Sequence, residues 1–186
     1  MKVYLDNSAT TATDERVVKK MLPYMTDVYG NASSLHAYGR EALAVVDDAR
    51  AKLANCLGAK PSEIYITSGG TESDNWALRG VMHANKAFGK HLVTTVIEHP
   101  AIMQTCKFLE KEGYEVTYVK VGRDGRVSLE DIKKAVRDDT VMVSVMFANN
   151  EMGAIQPIKE IGAFCKENGI IFHTDAVQAM SSIKID

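Results

Sequence analysis

An alternation of two kinds of segment constrains this chain more than any other feature. Apolar runs of strand length are each followed by an amphipathic run of helix length. "SEIYITSGG" (62–70) reads as a strand running into glycines. "TESDNWALRGVMHANKAFG" reads as a helix, with Thr71 as N-cap candidate and acidic residues in its first turn. "HLVTTVIEH" is a strand, and "PAIMQTCKFLEKEG" a helix with proline near its first position and glycine after its last. "YEVTYVKV" alternates like a strand with one exposed face, and "RDGR" is a turn. "SLEDIKKAV" is a helix whose Ser128 and Asp131 are spaced as a capping box. "TVMVSVMFA" is a buried strand, "IKEIGAFCKENG" a helix and "IIFHT" a last strand. The order β-α-β-α-β-α-β-α-β predicts an α/β fold with a mainly parallel sheet and helices on both faces.

Upstream, "ERVVKKMLPYMTDVYG" is a short amphipathic helix that Pro23 ends or bends. "GREALAVVDDARAKLANCLGA" is a long one, with Ala42, Val45, Val46, Ala49, Leu53 and Leu57 at helical spacing and Gly58 as a stop. The first residues are richer in polar and small side chains. The expected division is an N-terminal arm over 1–40 and a sheet domain over 41–186.

Composition removes several classes of function. An apolar fraction of 46% is that of a soluble globular protein, and a net charge of −2 gives no global pull toward nucleic acid or an anionic membrane. No apolar run approaches a membrane span, and "MKVYLDNSATT" lacks the apolar core of a signal peptide. Cys56, Cys106 and Cys165 are far apart and odd in number, which argues against a disulfide framework or a zinc site and fits a reducing compartment. Each lies in a helical pattern and is read as structural; no metal site is expected.

In open α/β sheets, ligands bind outside the carboxyl ends of the strands. Here those ends carry Ser68-Gly69-Gly70-Thr71-Glu72, then Glu98 and His99, then Asn149, Asn150 and Glu151, then His173, Thr174, Asp175 and Gln178. Taken singly, each has an ordinary reading. The glycines make a tight turn capped by Thr71, His99 caps or bonds locally, Asn150 fixes a turn, and Asp175 caps a following helix. Taken together, they set an anion loop at a helix start, an imidazole, an amide and a carboxylate around one crevice. Pyridoxal phosphate needs such a set: a phosphate cradle, a stacking partner, and a carboxylate that keeps its ring nitrogen protonated.

The motifs "VYLDNSATT", "YGNASSLHAYGREA", "ITSGGTESDN", "VIEHPA", "FANNEMGAIQPI" and "FHTDAVQA" run in order over the whole chain. With them the sequence closely resembles the NifS/IscS-type cysteine desulfurases, class V aminotransferase-family enzymes of pyridoxal-phosphate fold type I. Ala32 stands where that family commonly has proline. The resemblance implies phosphate binding by Gly70 and Thr71, and ring stacking with assistance in proton transfer by His99. It implies Asp175 at the pyridine nitrogen, and Gln178 and Asn150 at the phenolic oxygen and its surroundings. Asn7, Asn31 and His36 match motifs on the substrate side. His99 and Asp175 are the residues expected to act in catalysis.

The implied reaction takes sulfur from L-cysteine, leaves alanine, and passes the sulfur through an enzyme cysteine persulfide to an iron–sulfur scaffold or other acceptor. A cytoplasmic homodimer is implied as well. The family's Schiff-base lysine sits in a Ser-x-His-Lys motif downstream of "HTDAVQA", and its persulfide cysteine lies further on. Lys184 lies outside that motif and reads as a surface lysine. Cys56, Cys106 and Cys165 do not match the persulfide position. The expectation is therefore the N-terminal portion of such an enzyme, an incomplete large domain that is inactive alone and binds the cofactor non-covalently at best. Its "ITSGG" strand would lack the two neighbours that come later in the chain. Two alternatives stay open: a selenocysteine lyase or other class V enzyme, and a non-catalytic or split-protein binding module.

Overall fold

The computed structural model describes residues 1–180 and 183; Lys184 lies outside the described residues. The chain divides into two compact units, one over Met1–Ile66 and one from Thr67 onward. The break falls after Ile66, so the long helix shares a unit with the first 40 residues.

In the first unit, α1 (Glu15–Met21) opens on Asp14, whose carboxylate accepts the Arg16 N–H at 2.8 Å. Pro23 ends that helix and stands at the first position of α2 (Pro23–Thr26), the place where a missing N–H costs nothing. His36 caps α3 (Ala37–Cys56) through Nδ1, which accepts the Gly39 N–H at 3.3 Å. The expected apolar face of α3 is half-buried at Ala42, Val45, Val46 and Leu57, while Ala49 and Leu53 are exposed. Gly39 and Ala54 are the buried residues of that helix.

"SEIYITSGG" departs from expectation. Pro61–Glu63 forms a 3-10 turn, and 64–67 joins no sheet. A strand is defined by hydrogen bonds to a neighbour, and no strand lies beside this stretch among the described residues. Four strands are therefore seen where five were expected.

The second unit has the predicted architecture. Helix α4 (Gly70–Ala84) leads to β1 (His91–Thr95), α5 (Pro100–Lys111), β2 (Glu115–Val119), α6 (Leu129–Ala135), β3 (Thr140–Ser144), α7 (Ile158–Glu167) and β4 (Ile171–His173). The sheet is parallel, in the order β2-β1-β3-β4. Alternation along the strands divides the core into two halves. Leu92 and Met142 face Leu78, Met82, Ile102 and Leu109 of α4 and α5. Val93 and Val143 pack with Ile132, Ile161 and Cys165 of α6 and α7. Fully burying each such side chain contributes about 1.5–3 kcal/mol. Strand β2 is an edge, half-buried on both faces rather than open on one.

Start signals mostly behave as read. Ser128 Oγ accepts the Asp131 N–H at 3.1 Å, and Pro100 opens α5. Thr71 is not a cap: α4 begins at Gly70, and Gly69 holds the N-cap position with φ +157° and ψ 178°, a conformation suited to glycine. No helix among the described residues is long and apolar enough to cross a membrane.

Candidate active site

From β1 the chain goes out to β2 on one side and then to β3 on the other. The order reverses there, so a crevice opens between the carboxyl ends of β1 and β3. Two side chains bridge it. Glu98 Oε1 accepts the Thr95 hydroxyl at 2.6 Å and the Met146 N–H at 3.0 Å. Asn149 Nδ2 donates to the Ile97 carbonyl at 3.0 Å, while its Oδ1 accepts the Glu151 and Met152 N–H groups. Asn149 is thus the asparagine that fixes the turn. Asn150 is left half-buried on the wall of a cleft of about 220 Å³, with His99, Pro100 and Glu151.

His99 is exposed and caps α5, with Nδ1 accepting the Ala101 N–H at 3.2 Å. That bond uses Nδ1 as an acceptor and leaves Nε2 as the ring's donor nitrogen. The ordinary capping role and the expected functional one are therefore compatible, because they use different ring nitrogens.

Asp175 is 9% exposed and follows β4, held to the segment after β3 by the Phe147 N–H on its carbonyl at 2.8 Å. Its Oδ1 accepts the Val177 N–H at 3.0 Å. The same turn meets the glycine loop, because a Cβ on Gly70 would lie 2.7 Å from Val177 Cγ2. "SGGT" and "DAVQ" are thus in contact, and the first turn of α4 opens beside the Asp175 segment. Gln178 lies half-buried on that segment. Within the loop, Ser68 donates through N–H and Oγ to Glu72 Oε2 at 2.7 and 2.6 Å, which draws the Glu72 carboxyl below the usual range.

Asp74 and His173 add a feature that the motifs did not single out as a pair. Asp74 is 4% exposed, and its Oδ1 lies 3.6 Å from His173 Nε2; His173 Nδ1 is 2.9 Å from Ser144 Oγ. A sequence signal existed: Asp74, Leu78 and Met82 form the buried stripe of α4, so a carboxylate stands in line with an apolar face. Burial, then the charge of Asp175, pushes the Asp74 carboxyl up to about 7. Burial pushes His173 down to about 4, against the opposing pull of Asp175. Burial also raises Glu98 to about 7; its two hydrogen bonds oppose the rise, and Asp175 and Asp74 add to it. The carboxyl ends of β1 and β4 thus share one electrostatic corner. Among the described residues, Glu98 Oε2, Thr94 Oγ1 and Thr174 Oγ1 are buried without a partner.

Cys106 and Cys165 are buried, and burial lifts their thiols to about 12 and about 11, so neither is a thiolate near neutral pH. Cys56 is exposed in the first unit. In that unit, Asn31 Oδ1 accepts the Ser33 N–H, His36 caps α3, and the Asn7 carbonyl accepts the Thr11 hydroxyl.

The parallel α/β sheet thus carries an acid, an imidazole, an amide and a helix start at its carboxyl ends. The chain belongs to the family Aminotransferase class-V, which matches residues 3–186. It is 55% identical over 184 residues to the cysteine desulfurase IscS of Methanosarcina thermophila, an alignment that covers 99% of this chain and 46% of that protein. Among solved structures, a NifS-like protein superposes with a TM-score of 0.96 at 42% identity, covering 100% of this chain and 52% of that one. SspA in complex with cysteine gives 0.95 at 38% identity, covering 98% and 53%. The chain spans about half the length of the curated relatives it matches.

Proposed function

We propose that this chain is the pyridoxal-phosphate-binding portion of a cysteine desulfurase. The reaction is L-cysteine plus an enzyme thiol giving L-alanine plus an enzyme persulfide, which supplies sulfur for iron–sulfur cluster assembly. One observation carries the reading: the buried Asp175 carboxylate sits in a turn packed directly on the glycine that starts α4. The relatives named cysteine desulfurases, and the solved relative held with cysteine, support the substrate.

The residues fit the cofactor. The Gly70 and Thr71 N–H groups, at the positive end of a 15-residue helix, would take the phosphate, and no Cβ fits at Gly70. Asp175 would meet the ring nitrogen, Gln178 and Asn150 the phenolic oxygen and its surroundings, and His99 the ring face. When bound, the cofactor supplies an electron sink for charge that develops on the amino acid. The chain supplies the rest. The Asp175 carboxylate holds a proton at the ring nitrogen, and His99 offers an exchangeable proton at Nε2. Asn7, Asn31 and His36 are assigned to the substrate side. The working form is read as a cytoplasmic homodimer that hands sulfur to an iron–sulfur scaffold. The three free cysteines support a reducing compartment.

Titration of the chain with pyridoxal phosphate, followed by absorbance, tests the reading. One saturable site per chain is expected, with much weaker binding of pyridoxal, which lacks the phosphate. Gly70→Ala is expected to weaken binding about tenfold, or about 1.4 kcal/mol, with part restored by Val177→Ala. Equal affinity for pyridoxal and its phosphate would remove the phosphate cradle and the proposal with it.

A further inference from the structure

The crevice between β1 and β3 is crossed by side chains in both directions. From the β1 side, Glu98 Oε1 accepts the Met146 N–H at 3.0 Å while it holds the Thr95 hydroxyl at 2.6 Å. From the β3 side, Asn149 Nδ2 donates to the Ile97 carbonyl at 3.0 Å. Backbone pairing of the two strands ends with Val93 and Val143. Past Thr95 and Ser144, the bonds that cross among the described residues are those of Glu98 and Asn149. Each wall is stiff by itself. Asn149 Oδ1 accepts the Glu151 and Met152 N–H groups at 2.9 and 2.8 Å. Its own N–H donates to the Ala154 carbonyl at 3.0 Å, and the Gln156 N–H closes on the Phe147 carbonyl at 2.9 Å. On the other wall, the Val96 N–H is bonded to the Val119 carbonyl at 3.0 Å, and His99 caps α5. Stiff walls leave one quantity open, the gap between them, and the two crossing bonds set it.

We propose that Glu98 and Asn149 are positioning residues for the cleft, a reciprocal clamp that fixes the distance between the His99 imidazole and the Asn150 amide. The order of residues carries the inference. Glu98 and Asn149 are sealed, at 7% and 6% exposure, and the residue after each one lines the cleft. His99 follows Glu98 and is exposed, while Asn150 follows Asn149 and is half-buried. Each wall thus turns one polar side chain inward to grip the other wall and the next one outward to the cleft. Burial keeps water from competing for the gripping bonds. A groove that must hold a flat ring between two polar groups needs its width fixed before the ring arrives, because displacement of a bound group by about 1 Å is costly to reaction. The inference deepens the proposed function and rests on the reading that His99 and Asn150 face the cofactor ring.

Single substitutions cut the two crossing bonds separately. Asn149→Asp keeps an acceptor for the Glu151 and Met152 N–H groups, so the turn should survive, but it sets an acceptor oxygen against the Ile97 carbonyl. Glu98→Ala removes the other crossing bond, and Glu98→Gln keeps an acceptor for it. In the ligand-free chain, nitrogen NMR reads each cut on the opposite wall. Glu98→Ala should shift the Asn150 side-chain amide signals, and Glu98→Gln should return them toward wild type. Asn149→Asp should shift the His99 ring signals, assigned among the five histidines by the signal lost in His99→Ser. Pyridoxal phosphate should bind about tenfold more weakly to Asn149→Asp and to Glu98→Ala, and within about threefold of wild type to Glu98→Gln. His99→Ser with Asn150→Ala removes both presented groups and keeps a hydroxyl to cap α5. In that background Asn149→Asp should weaken binding by less than about twofold, because residues that act through one another are not additive. A full tenfold loss there would make the clamp structural only. That result, signals unmoved on the opposite wall, or Glu98→Gln binding as weakly as Glu98→Ala would overturn the proposal. Failure of the wild type to bind the cofactor would instead count against the proposed function, and the NMR signals would still decide the clamp.

Discussion

His91 is buried and His173 half-buried in the same sheet, one at each end, and their surroundings differ in kind. His91 opens β1 with 0% exposure, and both ring nitrogens are bonded, Nδ1 to Thr140 Oγ1 at 2.7 Å and Nε2 to Thr117 Oγ1 at 2.8 Å. Its charged neighbours Arg137, Glu115 and Asp139 pair with one another at the surface. His173 closes β4 with one bonded nitrogen, one long contact to an acid, and the Asp175 carboxyl within electrostatic reach. Among the described residues, the buried hydroxyl of Thr174, next to it in the chain, has no partner. A buried polar group kept for stability is normally satisfied, because an orphan costs about 1–3 kcal/mol. The amino end of the sheet obeys that rule and the carboxyl end breaks it. Residue type alone would not have told the two ends apart; the unmet hydrogen bonds do.

The contrast is broken most directly at Asp175. Asp175→Asn keeps an oxygen for the Val177 N–H, so the turn should survive, and it removes the charge. Under the proposed function, turnover of L-cysteine to alanine by the complete enzyme should fall on the order of a hundred- to a thousand-fold, or about 2.7–4 kcal/mol, with the protein folded and cofactor binding weaker but retained. If capping the turn were its whole role, asparagine would cost only a few tenths of a kcal/mol, about the cost of exchanging good capping residues. Steady-state kinetics with a thermal melt on the same samples decides between these. Near-normal turnover would make the carboxyl end as structural as the amino end.

Glu98 sharpens the comparison through pH. Its carboxyl titrates near 4.3 when unfolded and at about 7 in the fold. The folded state therefore holds the proton more tightly. The stabilisation is complete below the unfolded value and is lost as pH rises through about 7. Glu98→Gln is neutral throughout and keeps an acceptor for Thr95 and Met146. Its stability relative to wild type should grow with pH across that window, by at most about 1.4 kcal/mol per pH unit. Urea unfolding at pH 5 and pH 8 measures the gap. A difference that does not change with pH would show that Glu98 is ionised throughout and that the corner carries more charge than assigned here.

Much of this was legible beforehand, for identifiable reasons. β1 and β3 are continuous apolar runs, and α5 and α7 carry both periodicity and punctuation, so local pattern and tertiary role agree. "YIT" before the glycines was as good a strand by composition, yet pairing depends on a neighbour that local sequence does not encode. The expected division at residue 40 followed a change in composition, whereas the compact units divide after Ile66, beyond α3. At the candidate site, Gly70, His99, Asn150 and Asp175 are named through motif and position at strand ends. Asn149 was grouped with them, although its turn-fixing role appears only in the bonds it makes. Asp74 was passed over because an acid in a first turn reads as a dipole partner, and only its alignment with Leu78 and Met82 marks it as buried.

The smallest expected effect lies at the amino end. Burial is the main cause of the lowered His91 titration, and the Arg137 charge adds to it, while Asp139 and Glu115 pull the other way. A histidine with a depressed folded value stabilises the fold while neutral. That contribution is present above the unfolded value, near 6.5, and is lost as pH falls through the folded one. Arg137→Gln removes one of the two depressing causes and leaves both acids in place. The His91 ring should then titrate at higher pH, closer to its unfolded value, and the loss of stability in acid should become smaller. The shift should shrink in high salt, since Arg137 and its partners are largely exposed. Proton NMR of the His91 ring across pH, with and without salt, reads it directly. An unmoved titration would leave burial as the sole cause. A titration that moves down would show that the two acids, once freed from Arg137, turn away from His91. The first result confines the surface charges to a bystander role and leaves the closed pair of threonine hydroxyls to keep that end of the sheet silent.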